Sequence, residues 1–191
     1  EIDPLHAPPG ALVMDFFEFP DDQQFATIIG NPPYIRYQDI SPLTRQRARS
    51  SILDGRSNLY LFFIEKCLRH LAPGGELIFI TPRDLLKATS AVPLNRLLYA
   101  SGTITDFIET GDSNIFGAFV PNCAIFRFEK GLFDRRMRSP ADHRFTESHG
   151  QLLFLRNDYT VPLAELFDVR VGAVSGADDI GQHKHGTVLD G

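Results

Sequence analysis

The sequence predicts an α/β fold, a mostly parallel sheet with an antiparallel strand at one edge. Three observations carry this. Apolar, β-branched runs alternate with segments of helical periodicity along the 191 residues, the pattern of strands joined by crossover helices. Proline and glycine clusters punctuate that alternation, with Asn31-Pro32-Pro33 closing one run and Ala72-Pro73-Gly74-Gly75 closing a helical stretch. Two late apolar runs, Thr103 to Glu109 and Cys123 to Phe128, are suited to antiparallel pairing.

Taken in order, Ala11-Leu12-Val13-Met14-Asp15-Phe16 is a short apolar run ending in an acid, the first strand-like segment. Phe25-Ala26-Thr27-Ile28-Ile29 is apolar and β-branched throughout, which predicts a strand buried on both faces. The prolines after Asn31 remove two backbone donors and stop regular structure. Residues Ile35 to Ser57 are polar and arginine-rich and form a long excursion. From Asn58 to Leu71 the spacing of Leu61, Ile64, Leu68 and Leu71 puts one apolar face on a helix. Ala72-Pro73-Gly74-Gly75 ends it, and Glu76 to Thr81 is the next strand, closed by Pro82. A second helix covers Leu94 to Tyr99, and the two late strands follow. Asp134 to Gly150 is charged and lacks periodicity, as a linker would; Tyr159 to Val174 is apolar again and opens another module. The expected organisation is a catalytic domain over residues 1–131, a linker over 132–158, and the start of a further domain over 159–191.

Composition bounds the function. Hydrophobic residues at 43% and charged residues at 23% are ordinary for a globular chain. No apolar run is long enough to span a bilayer, and no secretory signal pattern opens the chain, so no membrane partner is expected. The two cysteines, Cys67 and Cys123, lie in apolar surroundings, which argues against a disulfide framework and for a reducing, cytoplasmic setting. His183 and His185 lack further ligands at metal spacing, so no metal site is expected. A net charge of −5 excludes a uniformly basic surface but leaves room for local patches. Arg36, Arg45, Arg47, Arg49 and Arg56 face only Asp39 and Asp54, and six basic residues between Arg127 and Arg144 face three acids. Each stretch suits a nucleic-acid contact or, equally, a solvated face.

The chemistry centres on Asn31-Pro32-Pro33-Tyr34. In an open α/β sheet, ligands bind beyond the carboxyl ends of the strands, where the Phe25–Ile29 strand delivers Asn31. The prolines stiffen the turn. The Asn31 amide oxygen and the Pro32 carbonyl can then accept both protons of an exocyclic NH2 group, and Tyr34 adds an aromatic face. Such an amine is a poor nucleophile because its lone pair is delocalised. Two fixed acceptors favour a pyramidal nitrogen and hence attack on an electrophilic methyl group. A base in a duplex must leave the stack to reach such a site. A plain proline turn at a strand end is the structural alternative.

These residues resemble the gamma-class, TaqI-like DNA adenine-N6 methyltransferases of restriction–modification systems, nearly throughout the chain. The resemblance implies a Rossmann-like class I methyltransferase sheet, S-adenosyl-L-methionine as cofactor and double-stranded DNA as partner. Glu1-Ile2-Asp3-Pro4 resembles the acidic strand end that holds the cofactor ribose, and Asp15-Phe16 the motif that holds its adenine, 16 residues before Asn31. Asn31, Pro32 and Tyr34 would be catalytic, with Tyr34 stacking on the flipped adenine; Pro33 would border the cofactor. Asn58 to Lys66 resembles the following helix, placing Phe63 near the methionine end of the cofactor or in the core. Asn114-Ile115-Phe116-Gly117 resembles the last catalytic motif, with Phe116 the second face of the base pocket and Phe119 its substitute. Pro162 to Val169, with Gly172 and Ser175-Gly176, resembles the onset of a target-recognition domain.

The family's Gly-rich cofactor loop precedes the acidic strand end. Its counterpart is not found before Glu1, so the N-terminal part of the fold is expected to be missing and cofactor binding by these residues alone weak. Two alternatives share the tetrapeptide or its remnants: N-methyltransferases of protein glutamine or RNA, and a catalytically inactive fragment. The Arg36–Arg56 excursion, Phe116 and the module opening at Pro162 favour DNA. A restriction nuclease, as domain or subunit, is a partner the resemblance allows; no Pro-Asp followed by Glu-x-Lys occurs here.

Overall fold

A computed structural model describes residues 5–110 and 122–156. Strand β1 (Phe25–Gly30) pairs in parallel with β2 (Leu71–Pro82), from Thr27 opposite Glu76 to Gly30 opposite Phe79. Strand β4 (Cys123–Lys130) lies antiparallel to β2 on its other side and antiparallel to β3 (Gly102–Glu109) beyond. The order is β1-β2-β4-β3. Three strands therefore run one way and one is reversed, as an α/β sheet with a single antiparallel member requires. The reversed strand sits one position in from the edge, between β2 and β3.

Helix α1 (Pro42–Arg47) is short and capped by Ser41, whose hydroxyl accepts from the Thr44 amide at 3.1 Å. Helix α2 (Leu59–His70) is buried on nearly every side. It carries the core residues Leu61, Ile64 and Leu68, which pack with Leu77, Phe126 and Phe128 of the sheet. It passes from His70 directly into β2 without a loop. Helix α3 (Val92–Ser101) starts on Pro93, where a missing backbone donor costs nothing. Its Asn95, fully buried, donates to the carbonyls of Leu85 at 2.8 Å and Gly150 at 2.9 Å.

Three expectations are corrected. The Phe25–Ile29 strand is not buried on both faces. Among the described residues β1 is an edge strand, with Ile29 73% exposed and Phe25 40%; apolar composition alone cannot distinguish an edge from a centre. The run Ala11 to Phe16 forms no strand, because no described strand pairs with it; a single 3-10 turn, Phe16–Glu18, follows Asp15. The stretch expected to be a linker is ordered. Strands β5 (His143–Ser148) and β6 (Gln151–Arg156) form a hairpin, and Phe145 and Leu152 join the core. The segment after residue 156, where the further module was expected, lies outside the described residues.

Candidate active site

Strand β1 ends at Gly30, whose pairing with Phe79 is its last. A Cβ at Gly30 would meet the Phe79 ring at 2.9 Å, so any other residue there would have to displace that ring. Asn31 follows, exposed, at the carboxyl end of two parallel strands; among the described residues its amide has no hydrogen-bond partner. Pro32 is buried, which anchors the turn.

Beside Asn31 lies a cavity of about 500 Å³, within the range of small-molecule sites. Asn31, Pro32, Phe16, Phe63, Cys67 and Phe79 are among its walls. Phe16 and Phe63 are stacked with ring centroids 5.0 Å apart and planes 24° from parallel, and Phe17 meets Phe63 edge-on at 4.8 Å. At that spacing no planar base fits between the two rings, so a ligand ring would pack on an outer face of the pair. Cys67 lies one helical turn from Phe63; burial pushes its thiol up to about 12. It is therefore a neutral wall of the cavity, not a nucleophile.

The structure thus brings together Asn31, Pro32, Phe16 and Phe63 from the sequence reading. Asp15, Pro33 and Tyr34 are not among the cavity walls. Asp15 caps the 3-10 turn, accepting from the Phe17 amide at 2.9 Å, and receives Arg47 at 3.0 Å. Its two oxygens retain acceptor capacity. Tyr34 is half-buried. Its hydroxyl donates to the Ile80 carbonyl at 2.8 Å, one residue past the last β1–β2 pair, and its ring meets Tyr60 edge-on at 6.3 Å. Burial is the main cause that holds the Tyr34 hydroxyl well above its ordinary pKa. Glu1, Ile2 and Phe116 lie outside the described residues.

Three participants were missed by the sequence reading. Lys66 and Cys67 follow Phe63 by one helical turn, a spacing that could have flagged them. Arg47 could not have been flagged, since only the fold brings it to Asp15 and to Glu18 at 2.8 Å.

The fold also sorts the two basic stretches. In the first, Arg45 donates to the Tyr37 carbonyl at 2.6 Å, Arg47 is paired, and Arg49 reaches the Gln46 carbonyl at 3.4 Å. The side chains of Arg36 and Arg56 are exposed with no partner among the described residues. The segments that carry them are tied together, because the Tyr37 amide donates to Asn58 Oδ1 at 3.2 Å and the Leu59 amide to the Ile35 carbonyl at 2.9 Å. The second stretch is largely consumed internally. Arg127 pairs with Glu76 and Glu129, Arg138 with Glu129 and Asp106, and Lys130 donates to the carbonyls of Leu68 and Leu71. Arg135 lies over the Tyr99 ring at 3.8 Å.

A match to the model of the Eco57I restriction-modification methylase family runs over residues 12–116, more than half of the chain and including the whole Asn31–Tyr34 turn. The chain belongs to that family. It is 38% identical to the type II methyltransferase M.XhoI of Xanthomonas vasicola over 105 residues, covering 53% of this chain and 19% of that protein. Against M.HincII of Haemophilus influenzae it is 26% identical over 159 residues, covering 77% and 32%. Against M.TthHB8I of Thermus thermophilus it is 30% identical over 208 residues, covering 92% and 47%. The chain spans less than half the length of each of these relatives. No helix among its described residues is long and apolar enough to cross a membrane.

Proposed function

We propose that this methylase-family chain carries the catalytic turn of a site-specific DNA methyltransferase, part of a restriction–modification system, that methylates N6 of an adenine turned out of the duplex. The observation that carries the reading is Asn31: an exposed, unpartnered amide at the carboxyl end of parallel strands, on the rim of an aromatic-walled cavity. Asn31 Oδ1 and the Pro32 carbonyl accept the two protons of the exocyclic amine. The prolines fix both acceptors before the substrate arrives, so little reorganisation is needed during the reaction.

The cavity suits S-adenosyl-L-methionine, which supplies an electrophilic methyl group when bound. Phe16 and Phe63 offer an apolar aromatic wall to its adenine, and Asp15 on the same turn keeps acceptor capacity for the adenine amine. Cys67 adds neutral, apolar surface. Ribose binding by Glu1 and Ile2, a second aromatic face from Phe116, and target recognition from residue 159 onward belong to the same proposal. Tyr34, buried on one side and bonded to the sheet, would meet the flipped base with its remaining face.

Arg36 and Arg56 suit DNA as the substrate. They are unpaired cations directly beyond the catalytic turn, free to take phosphates without breaking an internal ion pair.

The test uses the intact enzyme with duplex DNA, mapping methylated bases and measuring DNA affinity alongside. N6-methyladenine at one recognition sequence is expected. Asn31→Ala should lower kcat by about a hundred- to a thousandfold, the scale of losing a preorganised hydrogen-bond group, with DNA affinity nearly unchanged. Methylation of a release-factor glutamine or of RNA instead of DNA, or equal loss of binding and turnover, would overturn the reading.

A further inference from the structure

Lys66 is a buried cation with no part in the chemistry above. Its side chain is only 4% exposed, and a buried ammonium is costly unless each of its donors is met. Here they are met by one short segment. Lys66 Nζ donates to the Phe19 carbonyl at 2.7 Å and Asp21 Oδ1 at 2.9 Å, with the Phe17 carbonyl at 3.5 Å. The same nitrogen lies 5.5 Å from the centre of the Phe16 ring, at cation–π range.

His70, one turn further along α2, adds to the grip. It is 1% exposed and its Nδ1 is 2.9 Å from the Gln23 carbonyl; its Nε2 lies 3.4 Å from Asp21 without a hydrogen bond. Arg69 reaches Asp21 from the rim at 3.6 Å. Phe63, Lys66 and His70 form one stripe along α2, and the whole turn from Phe16 to Gln23 lies on it. That turn is otherwise held by Arg47, paired with Asp15 and Glu18, and by Phe16 and Phe17 packing on Phe63. It contains one 3-10 turn, and no described strand pairs with it or with the residues just before it.

From this geometry we infer that Lys66 is the positioning residue of the cofactor site: it holds the Phe16 ring where the cofactor's adenine packs, and sets cofactor affinity without acting on the methyl-transfer step. The inference rests on reading the cavity as that cofactor's site. An apolar residue at 66 could bury the turn against α2, but it could not gather two carbonyls and a carboxylate into one fixed arrangement. Among the described residues no hydrogen bond or ion pair joins Asn31 or Pro32 to the clamp, so turnover at saturating cofactor should survive its loss.

The experiment compares Lys66→Met, Lys66→Arg and Asp21→Asn with the intact wild-type enzyme. Calorimetry gives the S-adenosyl-L-methionine Kd, steady-state kinetics the kcat, and hydrogen exchange the protection of amides 16–22. Lys66→Met should raise Kd about tenfold, the loss of one well-placed charged contact, with kcat within about twofold at saturating cofactor. Exchange at 16–22 should speed up while β2 stays protected. Lys66→Arg should recover part of the affinity. Asp21 is 57% exposed and asparagine keeps an acceptor for Lys66 Nζ, so Asp21→Asn is the milder change and should raise Kd about two- to threefold because its charge is screened. If Lys66→Met does not fold, Asp21→Asn decides: an unchanged Kd overturns the inference. So does an unchanged Kd in a folded Lys66→Met enzyme, or a fall in kcat at unchanged Kd. Failure of the adenine reading would show separately, as wild-type enzyme that binds cofactor and leaves adenine unmethylated.

Discussion

The turn after Asp15 and the turn after Gly30 contribute to one cavity, yet they are fixed by opposite means. The first is held from outside. Lys66, His70 and Arg47 reach it from α2 and α1. The second is held by its own covalent structure. Pro32 and Pro33 lock two φ angles, and each proline also restricts the residue before it, so Asn31 and Pro32 are confined to extended conformations. The difference fits the proposed tasks. A turn that only lines a binding site can tolerate small adjustments. A turn that aims two acceptors at one nitrogen cannot, since a displacement near 1 Å costs about a hundredfold in rate.

The largest break in that comparison should come from removing the covalent restraint. In Pro32→Ala/Pro33→Ala, kcat should fall about ten- to a hundredfold, while cofactor affinity, to which the Pro32 wall contributes, falls by less than the roughly tenfold expected of Lys66→Met. This is the mirror image of the Lys66→Met result, and calorimetry with single-turnover kinetics reads both. A double-proline variant that loses cofactor affinity and keeps kcat would show that the two turns are not separable.

Tyr34 sharpens the comparison at a smaller scale. Its hydroxyl caps the Ile80 carbonyl just where the β1–β2 ladder stops, so the proline turn is tied to the sheet at its far end. Tyr34→Phe keeps the ring and loses the bond. Stability should drop by about 1 kcal/mol, the usual net value of such a bond, with methylation within a few-fold of wild type. Thermal unfolding and steady-state kinetics on the same preparation check the two halves. A large kcat loss with unchanged stability would give the hydroxyl a chemical role instead.

The second turn was legible in the sequence and the first was only half so. Asn31-Pro32-Pro33-Tyr34 is contiguous, and its stiffness comes from proline itself. Asp15 and Phe16 were legible as residues, but what holds them was not: Arg47 lies 32 residues from Asp15, and Lys66 lies 45 from Asp21. Contacts at that separation are created by the fold. The sheet shows the same division. Strands β2, β3 and β4 are legible as apolar runs, but β2 begins at Leu71 and runs through the Ala72–Gly75 stretch, whose composition reads as a stop. Gly75 lets it do so, because a Cβ there would meet the Ala26 carbonyl oxygen at 2.9 Å, beside the register shift between Phe25 and Thr27. The β5–β6 hairpin escaped notice because only Phe145 is apolar in β5. Its signature was the two-residue His149-Gly150 turn, with φ of 51° and 82°, as a type I′ hairpin needs.

The smallest expected effect concerns acid. The Lys66 ammonium beside Asp21 is the main cause that holds its carboxyl below the ordinary value of 3.8; Arg69 and His70 act the same way. A depressed carboxylate pKa means the folded state favours the ionised form. The stabilisation is therefore fully present above the ordinary value and is lost as pH falls through the lower folded one. Because Asp21 is mostly exposed, the effect is screened and modest. The proline turn contains no group that ionises in this range, since Tyr34 is shifted upward and not down. Acid should thus loosen the clamped turn before the proline turn. Wild type and Asp21→Asn should differ in Tm at neutral pH, and the difference should shrink toward zero once pH falls below 3.8. A difference that persists unchanged into that range would mean that Asp21 acts by shape and hydrogen bonding alone, and that the charge on Lys66 is not what holds the turn.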